Sequence, residues 1–244
     1  MNFELMIGSL PALLFATLTT IKLLVASLIC GMALALPLAI LRVSGPWPVR
    51  ILLHGYIYFF RGTPLLVQIF LVYYGLAQFE AVRDSVLWPW LRQAWVCAVL
   101  TFSLNTAAYT AYILRGAIEA VPAGEIEAAR ACGMSRVLAY RTVILPCAFR
   151  IALPAYGNEV VSMLKSTSLA STITVMELTG EANTIVARTF APYELFVTAA
   201  LIYLVITYVL TTALRALEYR LSRHMHPLDS STVSSKKETS HAGV

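Results

Sequence analysis

The chain has 244 residues, 59% of them hydrophobic and only 13% charged, with a formal net charge of +5. That composition excludes an ordinary soluble domain or a disordered chain and puts the protein in the membrane class. Four cysteines (Cys30, Cys97, Cys132, Cys147) show no CxxC pair or metal-ligand spacing, so they read as small packing residues, not as a disulfide framework or metal centre.

Charge-free runs cover residues 5–21, 23–41, 62–79, 93–114 and 195–214, and 151–176 is interrupted only by Glu159 and Lys165. A helix needs about 20 apolar residues to cross bilayer hydrocarbon. The first two runs, split only by Lys22, are together too long for one crossing. They divide into an interfacial helix over 3–15 and a first span over 17–41. The N-terminus lacks the basic start and small-residue cleavage site of a secretory signal. A Gly45-Pro46-Trp47-Pro48 turn leads to a second span over 53–75, which Arg61-Gly62-Thr63-Pro64 interrupts. Proline removes an amide donor and disfavours helix at the residue before it. The break suits either a pore-facing kink or a helix entry with Arg61 snorkelling to the interface.

The segment 80–92 carries Trp88 and Trp90, as expected at a membrane–water boundary. The third span, 95–115, groups Asn105, Thr106, Tyr109 and Thr110 on one broad face, which should look into protein or a wet path. Helix packing and substrate contact explain it equally well. In the fourth span, 151–172, Glu159, Ser162 and Ser166 form a polar stripe preceded by Asn158. A carboxylate in a span is a functional-site hypothesis by default. Lys165, six residues on, is at the wrong angle to neutralise it. Either an arginine of another span pairs with Glu159, or Glu159 faces the pathway and attracts a cationic substrate. The fifth span, 194–214, is followed by a Ser-, Thr-, His- and Lys-rich tail expected to be disordered. Three divisions follow: 1–16, an outer or interfacial segment; 17–215, the transmembrane domain; and 216–244, a cytoplasmic tail.

Orientation follows from the basic residues. With the N-terminus outside, inner segments hold Arg42, Arg50, Arg61, Arg115, Arg130, Arg136, Arg141, Arg150, Arg215, Arg220, Arg223, Lys236 and Lys237, and outer ones only Arg83, Arg92 and Arg188. The positive charge thus reports topology, not nucleic-acid binding. The C-terminus is expected in the cytoplasm.

Between the third and fourth spans lies PAGEIEAARACG, residues 122–133, a helix too short to cross, opened by Pro122 and closed by Gly133. Ala128, Ala129, Ala131 and Cys132 give it a surface of small side chains, and Glu125, Glu127 and Arg130 supply polar contacts. Large apolar residues that would bury it in lipid are nearly absent. A protein-docking helix is the better reading.

Glu127-Ala128-Ala129, then Gly133, then nine residues and Val143-Ile144-Leu145-Pro146, resembles the cytoplasmic signature of ABC importer membrane subunits, with Val143 in place of the usual isoleucine. The resemblance continues in FRGTPLLVQ (60–68), LNTAAYTAYILRGAI (104–118) and LPAYGNEVVSMLKSTSLAS (153–171). Together these resemble the polar amino acid permease branch, in particular the M-type subunits of histidine/lysine/arginine/ornithine uptake systems and the octopine and nopaline permeases. The resemblance implies a type I importer fold in a bacterial inner membrane, with the short helix as a coupling helix seated on a partner ATPase. It also implies a second homologous permease subunit (in a heterodimer or homodimer), a periplasmic substrate-binding protein, and an amino acid substrate. On that reading Glu125, Glu127, Ala128, Ala129, Arg130 and Gly133 couple to the ATPase. Asn105, Tyr109, Asn158, Glu159, Ser162 and Ser166 line the substrate pathway.

No catalytic residue or metal site is expected. A phosphate-binding loop needs GxxxxGK[ST], and the chain has no Gly-Lys dipeptide. ATP would be the partner's, with no cofactor on this chain. A self-sufficient secondary transporter or channel is the alternative, disfavoured by the lack of a paired repeat. A scaffolding protein would not need polar groups inside a span.

Overall fold

The computed structural model describes residues 2–222. The expected tail lies outside the described residues from 223 onward. Among the described residues the chain is helical without strands. Its long elements are α1 (Phe3–Ser44), α2 (Trp47–Gly62), α3 (Leu65–Gln78), α6 (Ala94–Glu119), α8 (Arg136–Ile173) and α10 (Pro192–Ser222). Short helices lie between them: α4 (Glu80–Arg83), α5 (Trp88–Leu91), α7 (Ala123–Ala131) and α9 (Leu178–Thr189). Four helices are long and apolar enough to cross a membrane, and the bent pair α2–α3 makes a fifth.

Several expected boundaries move. The separation at residues 16 and 17 is absent, because α1 runs unbroken for 42 residues despite Pro11 and Pro37. At 1.5 Å per residue that is about 63 Å, roughly twice the hydrocarbon thickness. Its first turns do not stand alone. Leu13 is fully buried with Leu178 and Leu195, so the start of α1 packs on α9 and α10. The second span is two helices meeting at 105°, not one rod. The segment after the fourth span contains α9, which was not expected. α10 continues to Ser222, past the expected start of the tail at 216.

Small residues bring the central helices together, as membrane packing requires where apolar burial gives no drive. Ala107, Ala108 and Ala111 of α6 are fully buried beside Ala35 and Ala39 of α1. Gly31 of α1 sits so close to α6 that a Cβ there would overlap Thr106 Cγ2. At mid-height Leu23, Ile69, Phe102, Met163 and Leu164 form a second cluster. The periphery is apolar and open: Leu201, Leu204, Val205, Tyr208 and Val209 of α10 are all more than half exposed. Such a belt would aggregate in water and suits lipid or a partner helix.

Candidate functional site: a proline-broken corner and a surface helix

The corner between α2 and α3 follows from Pro64. Phe60 O would normally accept from the amide four residues on, and Pro64 has none. Gln68 Nε2 replaces it at 2.9 Å and also reaches Thr63 O at 3.1 Å and Thr63 Oγ1 at 2.8 Å. Asn105 Nδ2 on α6 donates to Phe60 O (3.1 Å) and to Gln68 Oε1 (3.0 Å). The freed backbone is thus satisfied by side chains, the condition for irregular backbone within a membrane. Tyr109 OH adds a long contact to Arg61 O at 3.5 Å, and Arg61 stacks its guanidinium 3.9 Å over Tyr112. Arg61 is anchored at the corner by aromatic faces.

Behind the corner lies a cleft of about 150 Å³ lined by Thr63, Leu65, Asn105, Tyr109, Glu159, Ser162, Met163 and Ser166. Five of the six residues expected on a substrate path meet here. Asn158 does not: it is exposed and lies outside the lining, being turned about 100° from Glu159 around the helix. Asn105 is nearly buried, and its amide already serves the corner. Glu159 is half-buried without an ion pair among the described residues, where the two salt bridges are Arg83–Glu80 and Arg115–Glu119. The expected alternative, an arginine partner, is therefore not seen. Arg61 is near enough for its field to reach Glu159 but not to pair with it. Thr106 Oγ1 is close enough to lend Glu159 a hydroxyl, although no hydrogen bond of good geometry joins them. An unpaired carboxylate rimmed by hydroxyls can accept a cationic head group. The volume is below the roughly 300–1,000 Å³ of sites enclosing a drug-sized ligand, so the cleft holds a head group, not a whole solute.

Sequence reasoning missed Gln68 and Glu177. The signal for Gln68 was an amide one turn after Pro64 in an apolar run. Glu177, fully buried, caps α9 by accepting from Gly180 N at 2.8 Å, and accepts from Tyr203 OH at 2.8 Å and Thr20 Oγ1 at 3.4 Å. Its neighbourhood read as an outer loop, so no partner could be foreseen.

The second site is α7. It is about 14 Å long and presents Glu125, Glu127, Ala128 and Arg130 on its exposed surface. Ala129 is buried at 3% exposure. It therefore seats α7 against the rest of the chain. Gly133 ends the helix at φ +73°, its N–H donating to Arg130 O at 2.9 Å. A left-handed residue there favours glycine. No other part of Gly133 is crowded.

Five apolar crossings, a polar cleft inside them and a small-residue helix projecting beyond them define a helical membrane permease. The chain belongs to the family of binding-protein-dependent transport system inner membrane components, whose model matches residues 27–223. It is 48% identical over 240 residues to the nopaline transport system permease protein NocM of Agrobacterium fabrum, covering 98% of this chain and all of that one. The octopine transport system permease protein OccM of Rhizobium meliloti is 51% identical over 86% of both chains. The histidine/lysine/arginine/ornithine permease protein HisM of Escherichia coli K12 is 47% identical over 85% of this chain and 88% of its own. A crystal structure of an amino acid ABC transporter with histidines superposes with a TM-score of 0.80 at 34% identity, covering 90% of this chain and 99% of that one. The inward-facing methionine transporter MetNI, at 14% identity and a TM-score of 0.65, shares the fold. An EAA motif and a coupling helix are features of this family.

Proposed function

We propose that this protein is the permease subunit of an ATP-driven importer for basic amino acids or opines, and that Glu159 receives the substrate's cationic group. The observation carrying the substrate class is a carboxylate inside a span that has no cationic partner among the described residues and faces a cleft. A buried charge left this way costs stability unless a ligand compensates it. The names of the relatives, which concern histidine, lysine, arginine, ornithine, octopine and nopaline, support the same class.

The working complex on this reading has the N-terminus in the periplasm and the C-terminus in the cytoplasm. The exposed face of α7 docks on an ATPase subunit that binds and hydrolyses ATP, while this chain binds no cofactor. A second permease subunit, homologous or identical, completes the pathway, and a periplasmic binding protein delivers the solute. Closure of the ATPases moves α7, and α8, which follows it directly, carries Glu159 with it. Residues 17–215 do this work.

The test is uptake by proteoliposomes holding the whole complex, with binding protein inside the assay and labelled arginine as solute. Uptake should require ATP and be competed by basic amino acids or opines. Uptake without ATP by this chain alone, or competition by neutral amino acids only, would contradict the assignment.

A further inference from the structure

A polar hollow of about 840 Å³ lies away from the cleft, between the end of α1, α7 and the start of α8. Its walls divide by chemistry. Ile40, Ile144 and Leu145 come from the ends of the apolar segments, whereas Arg130, Arg136 and Arg141 come from the stretch beyond them. No carboxylate pairs with any of the three arginines among the described residues. Ser44 Oγ and Tyr140 OH, 2.6 Å apart, stand on the same wall as further hydrogen-bonding groups. Beside them Val137 is 78% exposed and Leu138 47%, which keeps the rim of the hollow apolar as well as basic.

We propose that this hollow seats one anionic phospholipid of the cytoplasmic leaflet, its phosphate among Arg130, Arg136 and Arg141 and the upper part of an acyl chain over Ile40, Ile144 and Leu145. Charge complementarity selects the headgroup, because three guanidiniums without counter-charges attract an anion. The polarity gradient selects a lipid over a free anion, because phosphate alone would leave the apolar wall wet. The volume is within the range of small-molecule sites, ample for a headgroup and the first part of a chain. Basic pockets at cytoplasmic span ends are where anionic headgroups settle. The lipid would bridge α1, α7 and α8, and so tie the docking helix to the membrane surface. The occupant is distinct from the ATPase, which meets the neighbouring part of α7 through Glu127 and Ala128; Arg130, three residues on from Glu127, stands at the border between the two.

The test is native mass spectrometry of the detergent-purified importer complex containing this chain, offered equal dioleoylphosphatidylglycerol and dioleoylphosphatidylcholine. The complex should retain the phosphatidylglycerol preferentially. The double variant Arg136→Gln/Arg141→Gln should lower that retention by roughly fivefold per arginine removed, equivalent to about 1 kcal/mol each. Arg136→Lys/Arg141→Lys keeps the charges and should keep most of the preference. Val137→Glu, at an exposed position, puts a carboxylate among the arginines and should also lower retention, which guards against poor assembly of the double variant. Equal retention of the two lipids by the unaltered complex would overturn the proposal, as would a preference indifferent to all these variants. Displacement of the lipid by millimolar inorganic phosphate would make it a small-anion site, and binding of the lipid only after the ATPase subunits are stripped from the complex would make the hollow part of that interface. Either result would also overturn the lipid assignment.

Discussion

Two carboxylates lie within the helical body, and they are treated in opposite ways. Glu177 is fully buried, yet every direction it faces offers a donor: Gly180 N, Tyr203 OH and Thr20 Oγ1, from α9, α10 and α1. Thr20 Oγ1 in turn accepts from Leu178 N at 3.1 Å, so the network closes on itself. Glu159 is less buried, and among the described residues no ion pair meets it and the Thr106 hydroxyl is its close polar neighbour, without a hydrogen bond of good geometry. A satisfied carboxylate holds helices together; an unsatisfied one beside a cleft waits for a ligand. Burial alone would have pointed to the wrong residue. Partner count separates structure from function here.

The contrast can be broken experimentally, starting from its structural side. Glu177→Ala removes the acceptor of Gly180 N, of Thr20 Oγ1 and of the Tyr203 hydroxyl. It should cost about 3 kcal/mol of stability, read as a lower thermal unfolding midpoint of the purified complex. A midpoint like the unaltered protein's would mean that the Glu177 network is not structural. Gln68→Leu tests the corner in the same way, removing the main donor to Phe60 O and Thr63 O while leaving Asn105 in place. A loss of about 2 kcal/mol is expected, with uptake falling because the cleft wall shifts. Gly133→Asp should cost only about 1 kcal/mol, the penalty for a side chain in the left-handed region, since nothing crowds its Cβ. The variant should insert normally and still lose most transport if, as proposed, the end of α7 meets the ATPase. Near-normal uptake would show α7 to be merely interfacial. Glu159→Gln should change stability least, or raise it, because no partner is orphaned.

Much of this was legible in the sequence, and the exceptions have physical causes. Hydropathy located all five crossings, because a charge-free run of bilayer length has few alternatives. It could not locate their ends. Lys22 suggested a division of α1, but an exposed lysine does not break a helix, and α1 runs through Lys22, Pro11 and Pro37. Pro64 announced a break, while its 105° angle depends on Gln68 and Asn105, partners 37 residues apart. The stripe Glu159–Ser162–Ser166 was visible from helical spacing and meets Asn105 and Tyr109 in one cleft. Asn158 entered by adjacency to Glu159 and is on another face. Helical period also leaves the direction of a face undetermined, which is why Ala129 looked like a contact residue and proves buried. The role of Glu177 was invisible because each of its side-chain partners except Gly180 is remote in sequence.

The most direct test of the account is equilibrium binding of labelled arginine to the purified complex without its binding protein, with unlabelled arginine or its neutral analogue citrulline as competitor. The unaltered complex should prefer arginine by about tenfold or more, as a charge-assisted contact worth about 1.5–3 kcal/mol requires. Glu159→Gln should erase that preference while the complex stays assembled and thermally stable. An assembled Glu159→Gln complex that still prefers arginine to the same degree would contradict the assignment of Glu159 to the substrate's positive charge.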